Sequence, residues 1–300
     1  MEINSEIVTT PPLDSATVVM LRDGPSGLEV LLLKRHASSS VLGGAFVFPG
    51  GKLDAADAHP DLLHRLDRPA AALHDQLGEA DLPEGKAASL FVAALREAFE
   101  ESSVLLAHTF VEHSAPGQLH TDTLTAARHH LSQGMAFTPL LAHLNLTLHT
   151  QALVPWSRWI TPRVPSVTNK RFDTRFFLAQ APADQIASHD NFETTESVWL
   201  APREALTRYW AGQIELAPPQ IMSLSHLNRF DSAASALAAA QSQKPPTIQP
   251  EPFDQEGIRV ICYPGDERHS LRERALPGPT RLHFRNRRFE PTGGLDELLG

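Results

Sequence analysis

Residues 46–54 read FVFPGGKLD, and residues 94–102 read ALREAFEES. The first stretch runs bulky apolar side chains into a proline and two glycines, so a short strand is broken abruptly. The second crowds Glu97, Glu100 and Glu101 into five positions. On a helix these three fall within an arc of roughly 100°, while Phe91, Val92, Leu95 and Phe99 fall on the opposite side. The helix is therefore amphipathic with an acidic polar face. Glu97 and Glu101 stand four apart, where like charges repel, and Arg96 offsets only part of that. A divalent cation of the magnesium or manganese kind is the natural compensator, since both prefer hard carboxylate oxygens. A solvated surface gives the same pattern, so spacing alone leaves both readings open.

Outward from these stretches, ATVVMLR (16–22) and LEVLLLK (28–34) flank DGPSG, which predicts a hairpin. AFVF (45–48) forms a third strand stopped by Pro49. Residues 54–86 have no clear period and read as an excursion with one short helix at PDLLHRL, a surface elaboration too short to bury a core of its own. KAASLFVAALREAFEESSVLL is strongly helical, and residues 117–146 give one or two more helices. Strands return at ALVPWSRWIT, TRFFLAQ and SVWLAP. PREALTRYWAG is a helix with proline in its first turn, and residues 218–243 read as one further helix. KPPTIQPEP is expected as a proline-rich linker, with late strands at GIRVICYPG and RLHFRN. Strands and helices mix without regular alternation, which predicts an α+β protein, a layered αβα sandwich rather than a doubly wound sheet.

Bulk properties narrow the function. The 300 residues are 42% hydrophobic and 20% charged, ordinary for a globular chain. A net charge of -9 disfavours nucleic acid as a partner. No apolar run is long enough for a membrane span. The N-terminal stretch shows no basic region followed by an apolar one, and DELLG at the other end is no peroxisomal signal, so a cytoplasmic location is expected. The single cysteine, Cys262, precludes an intrachain disulfide and reads as a packed strand residue. The fifteen histidines contain no His-Glu-X-X-His, and there is no cysteine pair, so a zinc site is not expected.

FPGG followed by REAFEES resembles the signature of Nudix hydrolases: Gly, five residues, Glu, seven residues, then Arg-Glu-apolar-X-Glu-Glu-X-Gly-apolar. Gly51 takes the place of the glycine, and Arg96 to Val104 fit the second half in order. The two halves are separated by more than thirty extra residues. Asp54 or Asp57 then stands near the first glutamate, and Asp57 keeps its interval from Gly51. Ser103 replaces the glycine that helps such a helix end, at a conformational cost of about 1 kcal/mol. VFPGGKLDAAD, the insertion, RFDTRFFLA, ETTESVWLAPREAL and LAPPQ together are similar to the Nudix-19 type of coenzyme A diphosphatase, over roughly residues 13–230.

That resemblance implies a Nudix-type αβα sandwich with a mixed sheet, in a domain spanning residues 13–242 and followed by an extension at 243–300 left with packing or homodimer contacts. It implies Mg2+ or Mn2+ held by Glu97, Glu100 and Glu101, and cleavage of a phosphoanhydride in a small-molecule diphosphate, coenzyme A or acyl-coenzyme A. Arg96 would orient a glutamate through a two-pronged ion pair. Gly50 and Gly51 would let backbone approach the helix and substrate. A general base is expected outside the helix, at Glu196 or its neighbour Glu193. Arg35, before Ser39, Ser40 and Val41, and Arg171, with Arg163, Lys170 and Arg175, are candidates for the substrate phosphates. Trp156 and Trp159 could stack on adenine but suit a core better. ADP-ribose is the alternative substrate. A non-catalytic nucleotide-sensing or protein-binding module is the alternative class, and such a module would be expected to lose the carboxylates retained here.

Overall fold

The computed structural model describes residues 6–39, 41–110, 119–164 and 170–300. Ser40 and residues 165–169 of the expected basic stretch lie outside the described residues. The predicted hairpin is β1 (Leu13–Gly24) and β2 (Gly27–Arg35), antiparallel. β3 (Phe46–Val47) continues the sheet along β2. Pro49 ends this run, as expected, and beyond it the chain changes partner: the Val18 amide donates to the Pro49 carbonyl at 2.8 Å, and β4 (Gly50–Lys52) pairs with β1. Proline lacks an N–H and interrupts one ladder, but its carbonyl can open the next.

The excursion is more ordered than its sequence suggests. A short 3-10 turn at Ala55–Ala58 leads to α1 (Pro60–Leu63) and α2 (Ala70–Leu77), before the long α3 (Glu84–Ser102). Leu62, Leu73 and Leu77 are buried in the same core as α3, so the segment is built into the domain rather than laid on its surface. This cover explains why α3 is buried from Ala87 through Leu95 and turns amphipathic only in its last turns.

β5 (Ala107–Thr109) pairs with β6 (Leu146–Leu148), and between them lie α4 (Thr121–Ser132) and α5 (Phe137–His143). β7 (Val154–Ile160), β8 (Phe172–Gln180) and β9 (Thr194–Leu200) complete the main sheet. β8 runs parallel to β1 and antiparallel to β7, and β9 is antiparallel to β2, so the sheet is mixed as predicted. α6 (Pro202–Trp210) follows. The single helix expected over 218–243 is two, α7 (Pro218–Leu227) and α8 (Ala233–Gln241). The break comes where Ser232 turns extended and forms a reciprocal cap with Ser235.

The proline-rich stretch is not a linker. It carries β10 (Thr247–Ile248), parallel to β7, with Ile248 fully buried. Beyond it, β11 (Glu251–Gln255), β12 (Ile258–Cys262), β13 (Arg281–Arg285) and β14 (Arg288–Glu290) form an antiparallel four-stranded sheet, followed by α9 (Leu295–Leu299). The Tyr209 hydroxyl bridges the Phe289 backbone, donating to its carbonyl at 2.9 Å and accepting from its amide at 2.8 Å. The extension thereby packs on α6 and α7. Cys262 is buried, and burial pushes its thiol up to about 11, which leaves it an inert packing residue.

Two cores flank the main sheet. Ala16, Val18, Met20, Leu31 and Leu33 face α3 and the excursion, while Val19, Leu21, Val30 and Leu32 face α6 to α8 and the C-terminal sheet. Coverage on both faces is why β1 and β2 read as near-continuous apolar runs instead of alternating. Among the described residues no helix is long and apolar enough to cross a membrane.

Candidate active site

The partner switch at Pro49 lays Gly50 and Gly51 against the end of α3. The Gly50 amide donates to Glu101 Oε2 at 2.9 Å. A Cβ on Gly51 would overlap the Glu97 carboxylate, and one on Gly50 would come within 2.6 Å of the Ala16 carbonyl oxygen and Thr17 Oγ1. At Gly50 the neighbouring backbone requires glycine, while at Gly51 a Cβ would instead push the Glu97 carboxylate out of its place. At this same C-terminal end of the helix, Ser103 adopts the left-handed conformation with φ 58°, the strain expected where a glycine usually stands.

Arg96 organises the acidic face. Its Nε and Nη2 donate to the two oxygens of Asp57 at 2.7 and 3.0 Å, a two-pronged pair with a fully buried carboxylate. Nη1 donates to Glu97 Oε1 at 2.9 Å and Glu100 Oε2 at 2.8 Å. Of the two aspartates that could replace the first signature glutamate, Asp57 makes this contact. Asp54 instead accepts from the Ala56 amide and caps the 3-10 turn. Asp57 is also the one that keeps the signature interval from Gly51, and the 31 residues that separate this signature from an uninterrupted one are looped out between Asp57 and Arg96, which are 39 apart instead of 8.

The electrostatics of this face are unbalanced. Burial pushes Glu97 up to about 7; Arg96 pulls it back, and Glu100 and Glu193 push it further. Burial likewise raises Glu100. It takes Glu101 up to about 8, against the lowering effect of the Gly50 amide. Burial works against the charge on Arg96, but Asp57, Glu97 and Glu100 outweigh it and hold its proton more tightly than usual. Glu101 Oε1 is buried with no hydrogen-bond partner. Three carboxylates thus surround one guanidinium while a fourth, Glu101, has none, and its orphaned oxygen points to a missing positive partner. A divalent cation fits that donor set of hard oxygens. As placed, the three glutamates do not share one coordination sphere, because Arg96 engages Glu97 and Glu100 while Glu101 turns to Gly50.

These residues open onto a cleft of about 470 Å3 lined by Gly50, Gly51, Glu97, Arg35, Lys170 and Glu193, among others. Arg35 lies within 3.7 Å of Glu193 Oε2 and donates to Ser39 Oγ at 3.2 Å. Several expected residues are elsewhere. Glu196 faces Lys34 at 3.6 Å and does not line the cleft; its neighbour Glu193 does, and it acts electrostatically on Glu97, Glu100 and Glu101. The two are three residues apart, an odd number, and a bulge at Arg35 further decouples them, so only tertiary pairing decides which faces the cleft. Arg171 is buried and donates to the carbonyls of Thr161 and Thr10, which pins the N-terminal segment. Arg175 is buried among Asp14, Glu79 and Asp173. Arg163 is exposed and absent from the cleft lining, so Lys170 alone of the four lines it. Trp156 and Trp159 are buried in the core, as their apolar bulk favours.

The histidines, scattered in sequence, make one notable grouping. His108, His149 and Asp67 offer ligand atoms within 4.8 Å of one another, the one such grouping among the described residues. Asp67 already accepts from the amide and hydroxyl of Thr150, and burial holds both imidazoles below their usual range. It joins the excursion to the β5–β6 pair, apart from the cleft. Sequence reasoning also gave no role to Gln220, the last residue of LAPPQ, which lines the cleft and is buried.

Comparison with known proteins is consistent with this geometry. A family model described as the NUDT19 Nudix domain matches residues 13–227. The acyl-coenzyme A diphosphatase NUDT19 of Xenopus laevis is 31% identical over 236 residues, covering 70% of this chain and 62% of the relative. The protein of the same name from Homo sapiens is 34% identical over 235 residues, covering 69% and 62%. The chain thus spans less than two thirds of the length of these relatives. A crystal structure of a NUDIX hydrolase from Alicyclobacillus acidocaldarius aligns with a TM-score of 0.59 at 27% identity, covering 79% of this chain and 99% of that one.

Proposed function

The chain belongs to the NUDT19 Nudix domain family, and from that premise we propose that it hydrolyses the diphosphate of coenzyme A or acyl-coenzyme A. The products are adenosine 3',5'-bisphosphate and 4'-phosphopantetheine, acylated or not. The observation that carries this reading is the meeting of Gly50, Gly51, the Asp57-braced Arg96 and the acidic end of α3 at one cleft. The relatives named acyl-coenzyme A diphosphatase support the substrate.

A phosphoanhydride resists hydrolysis because its oxygens repel an incoming nucleophile. Glu97, Glu100 and Glu101 would hold Mg2+ or Mn2+, which neutralises that charge and lowers the pKa of a bound water. Arg96, fixed by Asp57, holds Glu97, which lines the cleft, and Glu100 beside it. The glycines bring the β4 backbone close to the helix, so the diphosphate can lie along it. Glu193 takes the place of Glu196 as the candidate general base, since it lines the cleft and carries an exposed carboxylate. Arg35 and Lys170 supply positive charge for the remaining phosphates, including the 3'-phosphate that distinguishes coenzyme A from ADP-ribose.

The single cysteine fits a reducing compartment such as the cytoplasm. The buried apolar residues of 243–300 pack within the chain. The test is incubation with coenzyme A, an acyl-coenzyme A and ADP-ribose, with Mg2+ or Mn2+, and identification of products by mass. Consumption of ADP-ribose with both coenzyme A substrates intact would overturn the substrate assignment. No turnover of any of the three would favour a sensing or protein-binding module.

A further inference from the structure

Gln220 stands in the first turn of α7, which Pro218 opens. It is 7% exposed, and its Oε1 is buried with no hydrogen-bond partner. A buried amide oxygen left unpaired costs free energy, which a ligand bearing a donor would recover. The residue lines two cavities at once. One is the cleft that holds Gly50, Gly51 and Glu97. The other, about 200 Å3, has walls that include Trp159, Ile160, Pro162, Phe176, Pro218 and Ile261. Thr17, Val41, Leu42, Phe172, Thr174 and Gln220 are common to both linings, so the cavities abut with Gln220 at the junction.

We propose that the apolar cavity receives the acyl end of the substrate and that Gln220 hydrogen-bonds an amide of the pantetheine arm on its way there. This rests on the coenzyme A reading above. The arm carries secondary amides, each with one N–H donor and one carbonyl acceptor, and a glutamine side chain offers the complementary pair. The diphosphate lies at the polar end of the continuous space and the thioester-linked chain at the apolar end. Adenine is the poorer occupant. Its ring nitrogens and amino group need several polar partners, whereas beyond Gln220 the polar side chains of the lining are three threonines, of which Thr161 Oγ1 already accepts from the Phe172 amide, and the Trp159 indole N–H, which donates to Ser157 Oγ at 3.1 Å.

The experiment measures kcat/KM for coenzyme A, a series of straight-chain acyl-coenzymes A and ADP-ribose. The wild type is compared with Ile160→Trp, Ile160→Ala and Gln220→Leu. In the wild type, kcat/KM rises by about fourfold per methylene until the cavity is full. Ile160→Trp, at a partly exposed strand end, fills the cavity and lowers the ratio of hexanoyl-coenzyme A to coenzyme A at least tenfold. Ile160→Ala moves the optimum to a longer chain. Gln220→Leu lowers kcat/KM more for coenzyme A than for ADP-ribose.

A second readout is calorimetric binding of S-hexanoyl pantetheine, which has no diphosphate. It binds the wild type and is lost in Ile160→Trp, with thermal melting confirming that each variant is folded. If Ile160→Trp does not fold, the Ile160→Ala optimum and the Gln220→Leu ratio decide. Equal losses on every substrate, ADP-ribose included, would place the adenine in the cavity and overturn the proposal. So would a chain-length profile that neither Ile160 variant changes. A wild type that binds S-hexanoyl pantetheine but leaves coenzyme A intact would sink the diphosphatase reading and not the cavity assignment.

Discussion

At the scale of single residues, Glu101 shows how function strains this site. It is buried, accepts one bond from the Gly50 amide and keeps a second oxygen unpaired. A neutral isostere keeps the acceptor for Gly50 and removes a buried charge. Glu101→Gln should therefore raise the melting temperature of the metal-free protein at pH 8 while cutting turnover by orders of magnitude. Both are read on one purified sample; unchanged turnover would remove Glu101 from the site. Asp57 makes the complementary point. Its interval from Gly51 was legible, but its partner lies 39 residues away, and no count along the chain predicts that distance when an insertion intervenes.

At the scale of elements, the end of α3 links stability to pH. Glu97 and Glu101 have folded-state values of about 7 and about 8, both raised from 4.5. Raised values mean that the stabilising contribution is full below about pH 4.5 and is lost as pH rises through 7 to 8. The metal-free protein should melt at falling temperature between pH 5 and 8. Added Mg2+ should restore the loss at pH 8 and do little at pH 5, where protons already occupy the carboxylates. Differential scanning calorimetry at both pH values checks this; a flat profile without metal would contradict the assigned burial. The amphipathic wheel located the acidic face correctly. It could not show that the first half of the helix is buried all round, because the covering helices come from a segment without apolar period.

At the scale of the whole molecule, the insertion is held from two sides. Leu62, Leu73 and Leu77 enter the core beneath α3. Glu79, just beyond α2, accepts from Arg175 Nη2 at 2.7 Å and lies 3.0 Å from Arg158 Nη1, tying the insertion to β8 and β7. Arg175 is 3% exposed, so these pairs are screened less than surface ones. Leu73→Ala should cost about 2–5 kcal/mol and lower the single cooperative transition of the domain, measured by urea unfolding. Loss of protection confined to residues 60–82 in hydrogen exchange, with global stability unchanged, would instead mark the insertion as a separate unit. The C-terminal extension is integrated in the same manner: β10 joins the main sheet, and Tyr209 bridges to Phe289.

The sequence by itself determined the leading hairpin, the glycine pair, the acidic helix end and the mixed α+β class. Each rests on local physics: turn residues between apolar runs, glycines after a proline that breaks a strand, and a 3.6-residue period. The tertiary structure alone decided that Asp57 rather than Asp54 braces Arg96, and that Glu193 rather than Glu196 lines the cleft. It also decided that Arg171 and Arg175 are structural pins, and that a proline-rich stretch adds a strand. These outcomes depend on which distant backbone a side chain meets. A β-bulge, a partner switch at a proline or a helix supplied by an insertion changes that meeting without leaving a period or a count in the sequence.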